Sequence, residues 1–309
     1  MLKGVLSGVL LGAGLLSGPT ELPPARPQVI GHAGSGFFTP INPFNPLPPS
    51  SLGGIRRALA RGADGVEVDI QLSQDSVPVL FHDEDLTNRT RALGCISQYP
   101  AAALTRLAYT GGWPYDWFQH ERIATLDALL SELAGRATFP YLHLDLHEHD
   151  RAAGQPYARS PALIRALART LRRHQVPPGR LLVLTQHGPS LPLLRRELPG
   201  VALGLEITDH FDARLAEAVA AQVEAVVVSK YVVTPERVAQ ARARGLQVVV
   251  FGGRSQKAVQ RLLGCQPDGI EVDNVPRLLR LLGRRGQPAP AREPAHAGAP
   301  GAPKGGALR

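Results

Sequence analysis

The side chains best placed to do chemistry cluster between Gly62 and Asp85. There Glu67 and Asp69 alternate with Val66, Val68 and Ile70, the period-two pattern of a strand whose successive side chains point to opposite faces. Both carboxylates therefore face one side and the apolar residues the other. Two like charges side by side repel and lose hydration, which is costly unless a cation joins them. A hard divalent metal with oxygen ligands would do so. A few residues on, the apolar run Val77–Phe81 delivers His82 and Asp83 at its end. Carboxylates and then an imidazole, each at the close of a strand, predict a site and not a core.

Further candidates follow other apolar runs. His32 comes after Val29-Ile30 and opens the glycine-rich stretch Gly31–Gly36, which lets backbone approach a ligand. Taken alone, one histidine there is as readily structural as catalytic. The run Tyr141–His147 alternates again, so His143, Asp145 and His147 share a face while the leucines pack on helices. If Asp145 converges with Glu67 and Asp69, the three supply an oxygen set for magnesium or calcium, with water or substrate completing it. The plainer reading of Asp145 is a hydrogen-bonded strand end. Lys230 either meets a phosphate oxygen or serves as a cap or surface lysine. Gln186, His187 and Arg254 also follow strands. Glu271 and Asp273, in Asp-Gly-Ile-Glu-Val-Asp, echo the Glu67–Asp69 stretch, which two strands of similar design explain.

Positioning these groups falls to a strand–helix alternation that starts at Gln28. Strand-like runs lie at Val29-Ile30, Val66–Ile70, Val77–Phe81, Tyr141–Leu146, Leu181–Leu184, Val201–Leu205, Ala225–Val228, Leu246–Phe251 and Gly269–Val272. Helical patterns lie between most of them, at Ser51–Arg61, Thr125–Leu133, Pro161–His174, Pro189–Leu198, Asp212–Ala221, Pro235–Arg244, Gln256–Leu263 and Val275–Leu282. Such alternation marks an α/β fold with a parallel sheet, and so many units favour a closed TIM (β/α)8 barrel. Nine runs exceed eight strands, so one is peripheral. The Ser73–Ser76 link is also too short for a helical crossover, which implies an irregular second-to-third strand connection. Barrel active sites lie at the strand C-terminal ends, where the candidates fall.

The 309 residues, 44% hydrophobic, suit one such barrel over residues 28–285. The formal charge of +8 comes from arginine on helix faces and in the tail, and with only 5% aromatics no basic–aromatic run points to nucleic acid. Solvated helix faces account for most of those arginines, and attraction to anionic lipid headgroups is the unspecific alternative, a membrane-surface association. No Cys-x-x-Cys or Cys/His cluster has structural zinc spacing. Cys95 and Cys265 could pair in an oxidising compartment, but sequence alone does not bring them together. Residues 1–18 contain the apolar Val5–Leu16, the length of a signal-peptide core and short for a spanning helix. The expectation is export to a periplasmic or extracellular location, or anchorage to a membrane by this N-terminus. Residues 19–27 read as a linker, and residues 286–309, rich in Gly, Ala and Pro, as a disordered tail.

The order His32-x-Gly34, then Gly62-Ala63-Asp64-Gly65-Val66-Glu67-Val68-Asp69, then Val79-Leu80-Phe81-His82-Asp83-Glu84-Asp85-Leu86-Thr87 resembles the glycerophosphodiester phosphodiesterase family. The likeness continues through Gly94, Arg122–Leu126, the acidic strand at Asp145, Thr234-Pro235, Ala241–Leu246 and Pro267–Asp273, and covers roughly Gln28 to Leu282. It implies a TIM-barrel phosphoric diester hydrolase of lipid metabolism with a divalent metal, Mg or Ca. Glu67, Asp69 and Asp145 match that family's metal ligands, and His32 and His82 its acid/base pair. The implied substrates are glycerophosphodiesters or related lysophospholipids. The implied route is attack by an adjacent glycerol hydroxyl, then hydrolysis of a cyclic phosphate.

The departures fall on phosphate recognition. Ala33 stands where the family's His-Arg-Gly has arginine, and Pro49-Ser50-Ser51-Leu52 replaces Pro-Glu-Asn-Thr after an inserted Asn42–Pro48. Asp145-Leu146-His147 replaces Glu-x-Lys, and a tryptophan often found near the penultimate strand is absent from Val250–Gly253. Two cations are thereby lost, leaving Lys230, His147 and Arg254 as candidates for binding the phosphodiester. Two alternatives follow: a phospholipase D-like lyase that stops at the cyclic phosphate, or a non-catalytic barrel that binds a phosphorylated headgroup.

Overall fold

The computed structural model describes residues 26–40 and 44–284. The expected leader (1–18), most of the linker (19–25) and the expected tail (286–309) lie outside the described residues. Eight parallel strands close on themselves: β1 (Gln28–Gly31), β2 (Gly65–Leu72), β5 (Tyr141–Leu146), β6 (Leu181–Thr185), β7 (Ala202–Ile207), β8 (Ala225–Ser229), β9 (Gln247–Phe251) and β10 (Gly269–Val272). The ring closes because β1 pairs with both β10 (Gln28 opposite Gly269) and β2 (Ile30 opposite Gly65). This is the TIM (β/α)8 barrel that the alternation predicts.

Parity along each strand separates two environments. Outward residues such as Val66, Val68, Ile70, Leu142, Leu144, Val226 and Val228 are buried against the surrounding helices in one large apolar cluster. Each such side chain contributes roughly 1.5–3 kcal/mol relative to an exposed one, so a one-residue register slip would lose the whole set. Inward residues divide again. Leu182, Leu184, Ala225, Val227 and Val249 fill part of the lumen with hydrocarbon. Glu67, Asp69, His143, Glu206 and Glu271 are equally buried but polar.

The surrounding helices match the sequence pattern: α1 (Leu52–Ala60), α3 (Leu126–Ala134), α4 (Ser160–Arg173), α5 (Leu191–Glu197), α6 (Phe211–Ala220), α7 (Pro235–Arg242), α8 (Gln256–Gly264) and α9 (Val275–Leu281). The surplus run is β3 (Pro78–Leu80), which pairs antiparallel with β2 through Ile70–Leu80 and Leu72–Pro78, so Ser73–Ser76 is a hairpin turn. From there the chain makes an excursion through short 3-10 turns, α2 (Ala101–Leu104) and β4 (Ala124–Thr125) before re-entering the barrel at β5. The second-to-third barrel connection is irregular, as the short link implied. The excursion has its own small core of Val79, Phe81, Leu86, Ile96, Ala101, Leu104, Tyr109 and Ile123. Thr125 closes it and caps α3, its hydroxyl accepting from the Ala128 N–H. Cys95 and Cys265 are both buried and both free thiols.

Candidate active site

Register does most of the assembly. Asp69 on β2 lies directly opposite Asp145 on β5, and Glu67 opposite His143, so inward parity aims the carboxylates at one point of the barrel mouth. The ligand oxygens of Glu67, Asp69 and Asp145 all lie within 4.8 Å of one another. Neighbouring loop residues fix how two of them point. Glu67 Oε2 accepts from the Ala33 N–H (2.6 Å), and Asp69 Oδ2 accepts from the Ser50 hydroxyl (2.6 Å). Both Ala33 (φ 43°) and Ser50 (φ 53°) are held in the left-handed region that non-glycine residues seldom visit. Strain of this kind collects where a site is held in place by its surroundings.

Glu67 Oε1 is buried and has no hydrogen-bond partner. An orphaned acceptor costs free energy unless something cationic or protic meets it. The electrostatics agree: burial, then the charges of Asp69, Glu271 and Asp145, push Glu67 well above the usual carboxylate range. Glu206 on β7 is raised in the same way, by burial and by Asp145. Burial works in the same sense at Asp69, but the His82 and His147 imidazoles hold its carboxyl below the usual range. An oxygen-only donor set with mutual repulsion and one unsatisfied oxygen fits a divalent cation.

Two imidazoles flank these carboxylates, each oriented by its own acid. His32, just beyond β1, has Nδ1 2.7 Å from Asp273 Oδ1, just beyond β10. Burial opposes its charge, yet the Asp273 carboxylate raises its proton affinity above the ordinary imidazole value. His82 has Nδ1 2.7 Å from Asp83 Oδ1, and Arg89 Nε donates to the other Asp83 oxygen at 3.0 Å. In both, the carboxylate occupies Nδ1 and leaves Nε2 for other work. The Phe37 ring lies between them, 5.4 Å from the His32 centroid and 4.9 Å from that of His82.

His147 stands where the resemblance expects lysine. Its Nε2 lies 3.0 Å from Asp69 Oδ1 and 3.5 Å from Asp145 Oδ2. Burial works against its charge, but those two carboxylates raise it well above the ordinary value. Asp69, His82 and His147 form a second group of ligand atoms within 4.8 Å, sharing Asp69 with the first. Lys230 and Arg254 stand near Asp273: burial opposes its charge, while His32, Arg254 and Lys230 hold it below the usual range. Arg254 Nη2 also donates to the Phe37 carbonyl at 3.2 Å, and Lys230 Nζ lies 4.9 Å from the Tyr231 centroid. A cleft of about 470 Å³ opens from His82, Asp145 and His147 towards Tyr157 and His187, whose rings stack 3.8 Å apart.

Several participants escape the sequence reading. Asp273 was visible only as part of an echo of the Glu67–Asp69 stretch; its partnership with His32 needs the ring closure that sets β10 beside β1. Glu271 in the same echo turns inward and meets His143 Nδ1 at 2.6 Å, which makes His143 a lumen-filling residue. Phe37 carries no periodic or motif signal, Ser50 stands in a segment that departs from the family pattern, and Glu206 follows the alternation of Leu203 and Leu205 one residue past the expected strand end. His187 stacks on Tyr157, and Gln186 Nε2 donates to Glu206 Oε1 at 3.0 Å.

Residues 44–277 match the profile of the glycerophosphoryl diester phosphodiesterase family. A glycerophosphodiester phosphodiesterase of Bacillus altitudinis is 24% identical over 239 residues, 76% of this chain and 92% of that protein. One from Caldanaerobacter subterraneus subsp. tengcongensis is 22% identical over 245 residues, 78% of this chain and 94% of that one. Among solved structures, an Oleispira antarctica phosphodiesterase in complex with the product sn-glycerol-3-phosphate superposes with a TM-score of 0.69. It is 24% identical, with 83% of this chain and 97% of that chain covered.

Proposed function

Because the chain belongs to the glycerophosphoryl diester phosphodiesterase family, we propose that it hydrolyses glycerophosphodiesters to glycerol phosphate and an alcohol. One observation carries this reading: two imidazoles, each oriented through Nδ1 by a carboxylate, flank a buried carboxylate set that contains an unsatisfied oxygen. Glu67, Asp69 and Asp145 would hold a divalent cation, magnesium or calcium by the hardness of the oxygen set. When bound, such an ion supplies positive charge that polarises the phosphate oxygens.

The chain's own groups do the rest. His32 Nε2 takes the proton from the glycerol hydroxyl next to the phosphate as its oxygen bonds to phosphorus. His82 lines the cleft, where the departing alcohol fits, and gives its proton to that oxygen as the phosphorus–oxygen bond breaks. The five-membered cyclic phosphate then takes up water with the two histidines exchanging roles. His147, Lys230 and Arg254 supply the cationic surroundings that Ala33 cannot. A glycerol that carries an acyl chain, as in a lysophospholipid, is the finer reading, supported by the aromatic side chains at the mouth.

Phosphorus NMR of the products from glycerophosphocholine, with and without EDTA, tests the assignment. The expected result is sn-glycerol-3-phosphate, its formation stopped by EDTA, restored by magnesium or calcium, and slowed at least about a thousandfold in Glu67→Ala, as for loss of a major electrostatic stabiliser. Cyclic phosphate as the final product would make the protein a lyase instead. No turnover under any divalent metal would leave a headgroup-binding barrel.

A further inference from the structure

The excursion between β3 and β4 ends in an exposed aromatic surface. Trp113 and Trp117 are 77% and 74% exposed and Phe118 60%. Beneath them the rings run inward: Phe118 meets Phe44 edge-on (5.2 Å), Phe44 stacks on Tyr115 (5.9 Å), and Tyr115 meets Phe38 (4.9 Å). Phe38 is the chain neighbour of Phe37, which lies between the two histidines of the mouth. The aromatic row therefore joins the mouth to Phe118, the chain neighbour of Trp117, whose ring lies 6.4 Å from that of Trp113. Rings this exposed and this close together mark an interaction surface. Tryptophan in particular suits a boundary that is apolar on one side and wet on the other.

The charge beside the patch favours one kind of boundary. Arg91, Arg106 and Arg122 are exposed and line a groove with Tyr109, Asp116 and His120. Among the described residues, none of the three arginines is in an ion pair, unlike the neighbouring Arg89, which is held by Asp83. An apolar face flanked by unpaired arginines is complementary to a layer with anionic headgroups over hydrocarbon. No helix among the described residues is long and apolar enough to cross a membrane, so contact at this face would be superficial. We propose that the Trp113–Phe118 loop docks the mouth of the barrel on an anionic lipid bilayer. This goes beyond hydrolysis and does not depend on it: a preparation without turnover would still dock.

The chain contains only two tryptophans, and both are on this loop, so intrinsic fluorescence of the full-length protein reads the patch directly. Phosphatidylcholine vesicles with and without phosphatidylglycerol serve as the probe. The expected result is a blue-shifted emission quenched by brominated lipid, with binding at least about tenfold weaker without phosphatidylglycerol or in high salt. Trp113→Ser/Phe118→Ser should bind at least about tenfold less in sedimentation, and hydrolysis of soluble glycerophosphocholine should be unchanged. Should that variant misfold by circular dichroism, Arg91→Glu/Arg106→Glu tests the same surface and should lose the phosphatidylglycerol dependence. Sedimentation with vesicles but no change in tryptophan emission would overturn the proposal, because another segment would then hold the lipid. So would an emission shift that follows protein concentration alone, which would mean a second copy covers the face. No binding at all would overturn it outright.

Discussion

The two histidines of the mouth stand on unlike foundations. His32 follows β1, a strand paired on both sides, and its acid comes from the last strand of the ring. His82 follows β3, three residues long and attached to the outside of the barrel, and its acid is the next residue in the chain. One dyad is fixed by closure of the whole sheet; the other is local and rests on a satellite core. A small appended core opens more readily than a barrel wall. The site thus joins a rigid half, with the carboxylates and His32, to a half that can yield.

The largest test is of equivalence in chemistry. His32→Ala and His82→Ala should each lower kcat by about 10²–10⁴-fold, the range for losing a general acid or base. The double variant should be far from multiplicative. A His82 variant near wild-type rate would remove the excursion from the chemistry altogether.

Stability should then separate the halves. Leu144→Ala in the barrel layer and Leu104→Ala in the satellite core, both fully buried, should each cost about 2–5 kcal/mol. Leu144→Ala should lower the melting temperature of the whole protein. Leu104→Ala should raise amide exchange across the excursion and slow turnover while exchange in the barrel strands stays as it was.

Changes to the orienting acids should be smaller, about 10–100-fold in rate. Asp273→Asn and Asp83→Asn would each leave an imidazole without its anchor, but Asp83→Asn also weakens the Arg89 pair. Only Asp83→Asn should therefore loosen the excursion, as seen in amide exchange.

The smallest expected effect lies away from the mouth, at the start of β2. Asp64 accepts from the Val29 N–H (2.8 Å) and from both terminal nitrogens of Arg284. Burial opposes its charge, but Arg284 and that N–H hold it below the usual carboxylate range. A depressed folded value means the stabilisation is complete above the unfolded value of about 3.9 and fades as pH falls through the folded one. Asp64→Asn should cost roughly 1 kcal/mol or less at neutral pH, remove that part of the acid-side fall in melting temperature, and leave the rate alone.

The same division decides how much the sequence reveals. β2 and β5 announce themselves by strict alternation, so parity puts Glu67 with Asp69 and Asp145 with His147 on shared faces, but the register that sets Asp69 opposite Asp145 belongs to the folded sheet. His82 could be found because its strand, ring and acid are contiguous. Asp273 could not, because its meeting with His32 depends on which strands become neighbours when the ring shuts. The excursion was legible only as an anomaly of length: 3-10 turns and a two-residue strand have no period to detect. Ala33 acts through its backbone N–H, and Ser50 presents its hydroxyl from a left-handed backbone conformation, neither of which side-chain type signals.

Cys95 belongs to the excursion and Cys265 closes α8, and each keeps a reduced sulfur among packed side chains. Neither sulfur ties its element covalently to another part of the molecule in this structure. A buried sulfur meets a thiol reagent only when its element opens, so the two cysteines report local opening of the excursion and of α8 separately.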